Sequence, residues 1–421
     1  MKAKVKSKKA KVGIHPLPSM TIAASSLSVG WRRLIRLLPF AFLLFTFYLA
    51  RVSAHEPITT KVRFNKEVVR ILGRSCLSCH HPGGVAMSLA TYDDARPWAK
   101  AIKEEVLNKR MPPWAAVKGF GDFRNAPVLT QREVDLLVNW VEGGAPRGEE
   151  GDLPTTPLYS DDWQLGKPDL ILKPPTPASI AADADERRTV TLATNLTEAR
   201  GLAAIDLRPG DQRVVHCARV YLEGGSCLAT WMPGQKTVAW NEGVAQALPA
   251  GARLTVKIHY RGAGEATRDQ SEVGLYFAKT PPRRLLQEIA VNDAEAIIPA
   301  GAAMHPLRVS YTTTEDLDAL ALRPIVNPLI TSLQMTAYRP DGSEEVLLWT
   351  RGYQSDWQPT YYLKRPALLP KGTRLEVIAY FDNSDNNPNN PNDPAKALRF
   401  ADLGGEPLCA VTTAKARPTN E

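Results

Sequence analysis

The chain has 421 residues, 44% hydrophobic and 23% charged, an ordinary globular composition that excludes a fibrous or disordered polypeptide. Its formal net charge of +8 is concentrated in residues 1–54, which carry six Lys, four Arg and no acid. Without those ten positive charges the net charge is −2. That leaves no basic face for nucleic acid.

Residues 1–54 read as an export segment. A Lys-rich opening from Lys2 to Lys11 is followed by Arg32, Arg33 and Arg36, an apolar run from Leu37 to Ala50, and the small residues of Val52-Ser53-Ala54. This is the order of a signal peptide. The apolar run is short for a bilayer core of about 30 Å, but retention as an N-terminal membrane anchor stays open. Either outcome places the remainder in the periplasm or otherwise outside the cytoplasm.

Residues 55–150 read as a small helical domain. Val68-Val69-Arg70-Ile71-Leu72 leads into a cysteine pair, and Tyr92 to Leu107 is rich in helix formers. Thr130 with Glu133 forms a capping box. It opens an amphipathic helix with Val134, Leu137, Val138 and Val141 on one side, stopped by Gly143-Gly144. A linker rich in Pro, Gly and acids covers 151–168.

The period then changes to two. Leu254, Val256, Ile258 and Tyr260 alternate on one face, as do Leu375, Val377, Ala379 and Phe381. Short strands between Pro/Gly turns predict two all-β antiparallel sandwiches, over 169–282 and 283–421, with the seam at Lys279-Thr280-Pro281-Pro282. The expected architecture is therefore multidomain, a small all-α domain followed by two β-sandwiches.

Cys76-Leu77-Ser78-Cys79-His80 is a C-x-x-C-H motif, the attachment signature of c-type haem. Two thiols reach the two vinyl groups on one porphyrin edge, and the next residue delivers an imidazole to the iron. A zinc half-site would need a second Cys/His pair nearby, and a redox C-x-x-C would want a βαβ context. The expectation is one haem c, with Cys76 and Cys79 as thioethers and His80 as proximal ligand. The small helical domain is then a cytochrome c domain. Met111, in Arg110-Met111-Pro112-Pro113-Trp114, is the candidate distal ligand, against the plainer reading of a core methionine; thioether ligation raises the potential. Trp98, Trp114 and Trp140 are expected to pack round the porphyrin. His81, next to the proximal ligand, cannot wrap round to the other side.

Several stretches together resemble a bacterial group in which a c-type cytochrome domain precedes a copper type II, ascorbate-dependent monooxygenase-like module. That module is similar to peptidylglycine α-hydroxylating and dopamine β-monooxygenases. The stretches are Arg96-Pro97-Trp98-Ala99-Lys100, Arg110–Trp114, Trp163-Gln164-Leu165-Gly166-Lys167-Pro168-Asp169, Val214-Val215-His216, His259-Tyr260 and Phe381-Asp382-Asn383-Ser384. The resemblance covers roughly residues 60–410 and implies two jelly-roll-like sandwiches, each with one copper.

The copper ligands implied by the resemblance are incomplete here. The first copper maps to His216, Cys217 and His259, so one imidazole has become a thiol. Cys217 either joins a residual copper site or pairs with Cys227. The second copper maps to Pro324-Ile325-Val326-Asn327 and to Leu408 beside Cys409, where no ligand stands. The oxygen-rich Asp382–Asn387 loop suits a structural turn or calcium.

These readings favour a monohaem electron-transfer protein over an enzyme. Its β module would dock or scaffold, and its partner would be a redox protein or a membrane-bound electron-transfer complex. A copper monooxygenase fed by the haem, and a structural or binding subunit, are the alternatives.

Overall fold

The computed structural model describes residues 59–416 except 326, 353–356, 358 and 404–406. The export segment lies outside the described residues. Among the described residues no helix is long and apolar enough to cross a membrane.

Four α-helices are present among the described residues: α1 (Val69–Ser75), α2 (Tyr92–Ala95), α3 (Ala99–Leu107) and α4 (Gln131–Glu142). The first ten strands are β1 (Leu170–Leu172), β2 (Ala178–Ile180), β3 (Asp185–Ala193), β4 (Arg200–Arg208), β5 (Val215–Leu222), β6 (Cys227–Trp231), β7 (Val244–Leu248), β8 (Arg253–Arg261), β9 (Thr267–Asp269) and β10 (Glu272–Phe277). The second ten are β11 (Arg284–Val291), β12 (Ile297–Ile298), β13 (Ala302–Thr312), β14 (Leu317–Pro324), β15 (Ile330–Tyr338), β16 (Glu344–Arg351), β17 (Tyr361–Leu369), β18 (Arg374–Asn383), β19 (Leu398–Arg399) and β20 (Cys409–Ala416).

One eight-stranded sheet, in the order β1-β10-β4-β7-β11-β20-β14-β17, runs through both halves of the β region. The halves meet at a short parallel pairing of Val244 and Ala245 with Arg284 and Leu285. A four-stranded sheet, β3-β8-β5-β6, covers the first half, and β13-β18-β15-β16 covers the second. Alternation drives each layer: β8 buries Leu254, Val256, Ile258 and Tyr260, and β18 buries Leu375, Val377, Ala379 and Phe381. The side chains from facing sheets merge into one core per half. The seam expected at Lys279-Thr280-Pro281-Pro282 falls between β10 and β11, two strands of the same eight-stranded sheet.

The expected separate all-α cytochrome domain is not what the chain forms. Of the described residues 39% are in strands and 13% in helices, and together they make one compact unit. Only α4 exceeds nine residues. Its capping box is present, with Thr130 N donating to Glu133 Oε2 at 2.9 Å, and it buries Leu137, Trp140 and Val141. These join Phe64, Val68, Leu72 and Leu77 in a small apolar cluster.

The segment between α3 and α4 leaves the helices altogether. Ala116 pairs with Thr350 and Phe123 with Leu363. Asn125 clamps the edge of β17, donating to Thr360 O at 2.7 Å and accepting from Tyr362 N at 3.1 Å. Trp114 and Phe123 pack against Tyr361, with ring centroids 4.8 and 5.3 Å away, within the core of the second half. Four short helices cannot cover two large aromatic rings as well as their own core, and the β-sandwich supplies the missing apolar surface. For Trp114 the expectation of packing round a porphyrin is corrected accordingly. Trp114 serves the β core, Trp140 is fully buried in the helical cluster, and Trp98 is 43% exposed.

Candidate functional site

The end of α1 delivers the C-x-x-C-H residues on one tight turn. Cys76 N donates to Leu72 O at 2.7 Å, and Cys79 N and His80 N both donate to Cys76 O, at 3.1 and 3.0 Å. Leu77, fully buried between the two cysteines, pins the turn to the helical cluster. Cys76, Cys79 and His80 are all half-buried. Burial pushes the Cys76 thiol up to about 12 and the Cys79 thiol up to about 11. This is opposite to the shift of reactive C-x-x-C thiolates. Burial also lowers the His80 imidazole from its ordinary value, against the opposing Met87 carbonyl.

His80 Nδ1 lies 3.0 Å from Met87 O. A carbonyl accepts only, so Nδ1 carries the proton and Nε2 keeps its lone pair. Met111 follows α3 on a separate element. Its N donates to Glu105 O at 3.3 Å, the bond to Pro112 is cis, and the side chain is 38% exposed. Val85, Met87, Trp98, Leu107 and Val128 are also exposed large apolar residues of this stretch.

The turn is gripped from the β side by residues that no sequence signal marked. His81, 4% exposed, stacks on Tyr159 with ring centroids 4.8 Å apart. Its Nε2 is 3.2 Å from Gln212 Oε1. Gln212 Nε2 donates to Asp161 Oδ1 at 2.9 Å, which orients the amide. Gly234, with φ +74, lies so close that a Cβ there would stand 2.3 Å from Cys79 Sγ. Tyr159 and Asp161 belong to the expected linker and Gly234 to a turn after β6, so only the folded chain brings them together.

The first sandwich unites the residues assigned to a first copper. A β-bulge between Val215 and Cys217 inserts His216, and Cys217 faces His259 across the β5–β8 ladder. The rings of His216 and His259 are edge to face with centroids 5.0 Å apart. His259 lies on the less buried face of β8, away from Leu254 and Ile258, and its Nε2 is 2.6 Å from Asp185 Oδ1. Among the described residues, no three His, Cys, Asp or Glu side chains converge as a metal-holding group.

No disulfide joins any two of the five cysteines. Ala218 faces Trp231 and Tyr221 faces Cys227, so Cys217 and Cys227 stand four positions apart along the ladder. At 3.3 Å per residue that is about 13 Å, beyond the ~7 Å Cα limit of a disulfide. The expected alternative of a Cys217–Cys227 pairing is therefore excluded by register.

The residues assigned to a second copper also meet, but as core. Ile325 N donates to Leu408 O at 3.0 Å, and both side chains are buried in the second apolar cluster. Asn327 Oδ1 accepts from Leu329 N at 3.0 Å; Val326 lies outside the described residues. In the Asp382–Asn387 loop, Asp382 Oδ1 accepts from Ser384 N and Oγ at 3.1 and 2.6 Å. Asp385 Oδ1 accepts from Ala395 N at 2.6 Å. Those oxygens serve local turns.

No protein-family model and no curated protein matches the chain. Among solved structures it is similar to the major capsid protein P2 of bacteriophage PM2, at 13% identity and TM-score 0.28, over 59% of this chain and 98% of that one. It is similar to the VP2 subviral particle of infectious bursal disease virus, at 8% identity and TM-score 0.18, over 62% and 79%. It is also similar to allantoicase from Saccharomyces cerevisiae, at 8% identity and TM-score 0.15, over 47% and 79%. TM-scores of this size define no shared fold, and the chain is assigned to no family.

Proposed function

We propose that the protein is an exported, monohaem electron carrier of the c type. Haem would be linked through Cys76 and Cys79 and ligated by His80, with Met111 as the second axial ligand. The observation that carries this reading is the His80 Nδ1 to Met87 O contact of 3.0 Å on the same turn as the two thiols. A ligating imidazole is ordinarily held in this way, its second nitrogen donating to a carbonyl.

The residues present fit the group on two further counts. The two cysteines sit on either side of buried Leu77 on one tight turn, at the spacing that the two vinyl groups of one porphyrin edge require. The exposed apolar side chains of Val85, Met87, Trp98, Leu107, Met111 and Val128 offer the apolar contact that a porphyrin needs. Bound haem would supply a one-electron couple, tuned by its axial ligands and their hydrogen bonds. The chain's own part is to orient His80, fix the two sulfurs and exclude water from them.

The β region would serve docking or scaffolding toward a redox protein or a membrane-bound electron-transfer complex. One observation favours a second reading, the 5.0 Å approach of His216 and His259 beside Cys217: a residual copper site on the first sandwich, and with it a monooxygenase fed by the haem. Metal analysis of purified protein separates the two. One iron and no copper per chain is expected; stoichiometric copper would favour the second.

A further inference from the structure

The first sandwich holds the attachment turn at two points that flank His80. On one side, Cys79 Sγ rests against the backbone at Gly234, where a Cβ would also come within 3.0 Å of Ser78 Oγ. On the other, His81 Nε2 meets Gln212 Oε1 at 3.2 Å while its ring stacks on Tyr159. His80 lies between these two anchors, and its ring is held from its own loop by Met87 O.

Both gripping loops are themselves fixed before they touch the turn. Asp269, 1% exposed, accepts from Gly210 N at 2.8 Å and Asp211 N at 3.1 Å, and from Tyr260 Oη at 2.8 Å. A Cβ at Gly210 would stand 2.6 Å from Gln270 N. The loop bearing Gln212 is therefore packed backbone on backbone. The loop bearing Gly234 turns through a Gln235 N to Met232 O bond of 3.0 Å. The Gln164 amide spans that loop, donating to Gln235 O at 3.1 Å and accepting from Thr237 N at 3.0 Å. Asp206, 3% exposed, ties down both Gln164 N and Thr237 Oγ1, at 3.0 and 2.6 Å.

We propose that Gly234 and Gln212 are positioning residues for the haem, setting the place of the Cys79 sulfur and the orientation of His80 from the β side. This rests on the haem reading above. Groups that orient a ligating imidazole tune what it binds, and rigid neighbours do so with the least play. In this reading the β region is part of the haem site and is more than an appended docking module. A methyl group at residue 234 cannot be accommodated without moving Cys79, because the neighbour it meets is a sulfur anchored on a short turn and the φ of +74 disfavours any side chain. Removing the Gln212 amide takes away the partner of His81 Nε2 and releases Asp161, while the Tyr159 stack on His81 stays in place.

The test uses the full-length haem-loaded chain and the variants Gln212→Ala and Gly234→Ala, first stained for haem and then titrated spectroelectrochemically. The expected result is a reduction potential displaced from wild type in Gln212→Ala, with unchanged β-sheet circular dichroism and haem-to-protein ratio. For Gly234→Ala a displaced potential or a lowered haem-to-protein ratio is expected with the same circular dichroism. Wild-type potential and haem content in both variants would overturn the inference. A wild-type chain without covalent haem fails at the staining step, and overturns the parent reading by a separate observation.

Discussion

His80 Nδ1 and the carbonyl oxygen of Met87 stand 3.0 Å apart, so the loop after the C-x-x-C-H turn folds back to hold the imidazole it has just delivered. The contact fixes the tautomer, and with it the nitrogen that would face iron in the proposed haem site. His80→Ala is expected to leave the thioether chemistry of Cys76 and Cys79 available but to abolish the low-spin spectrum. Absorption and electron paramagnetic resonance of the purified variant check this; an unchanged low-spin signal would mean that another residue is the proximal ligand.

Met111 is 38% exposed, so it adds little to a core. Met111→Ala is expected to change the unfolding free energy of the haem-free chain by no more than about 0.5 kcal/mol. In the haem-loaded protein it is expected to remove the weak far-red thioether-to-iron band of the oxidised form. A wild-type protein without that band, or a variant that keeps it, rules Met111 out as the axial ligand.

Phe123 joins the helical segment to the second sandwich, 6% exposed and 5.3 Å from the Tyr361 ring. Phe123→Ala is expected to cost about 3–5 kcal/mol, the range for deleting a buried aromatic ring. Chemical denaturation measures the loss. A small helical domain folding independently would be insensitive to a cavity in the β core, so hydrogen exchange in α4 should quicken along with that in β17. Acceleration confined to β17 would contradict the single compact unit.

Cys409 is fully buried, and burial raises its thiol from 9.0 to about 12. Between those values the folded chain keeps a proton that the unfolded chain has lost. The stabilisation this thiol contributes is complete below pH 9 and declines as pH rises toward 12. Cys409→Val, close in size and without an ionisable group, is expected to lose less stability than wild type over that window. Parallel loss in the two proteins, followed by denaturant midpoints, would assign the alkaline sensitivity elsewhere.

What the sequence made legible were features carried by neighbours along the chain. The C-x-x-C-H spacing, the Thr130–Glu133 capping box and the alternation of Leu254 to Tyr260 each arise within a few residues. The face assigned to His259 follows from that same alternation and agrees with its placement on β8. What was not legible depends on partners far away in sequence. The Val244–Arg284 pairing joins the two expected sandwiches through one shared sheet, and nothing in either strand announces a parallel edge contact. Trp114 and Phe123 look like helical-domain residues because they lie between helices; they are β-core residues because that is where enough apolar surface is found. The Gln212–His81 hydrogen bond spans 131 positions. A lone glycine such as Gly234 carries no signal until its neighbour is known.

Covalent haem attachment is read out by mass spectrometry of the proteolytic peptide that contains Cys76 and Cys79, taken from protein purified from an exporting host under denaturing conditions. A single species heavier by one haem is expected, with both sulfurs resistant to alkylation. Recovery of the unmodified peptide with two alkylatable thiols, or of zinc in place of iron in the parent protein, would contradict it.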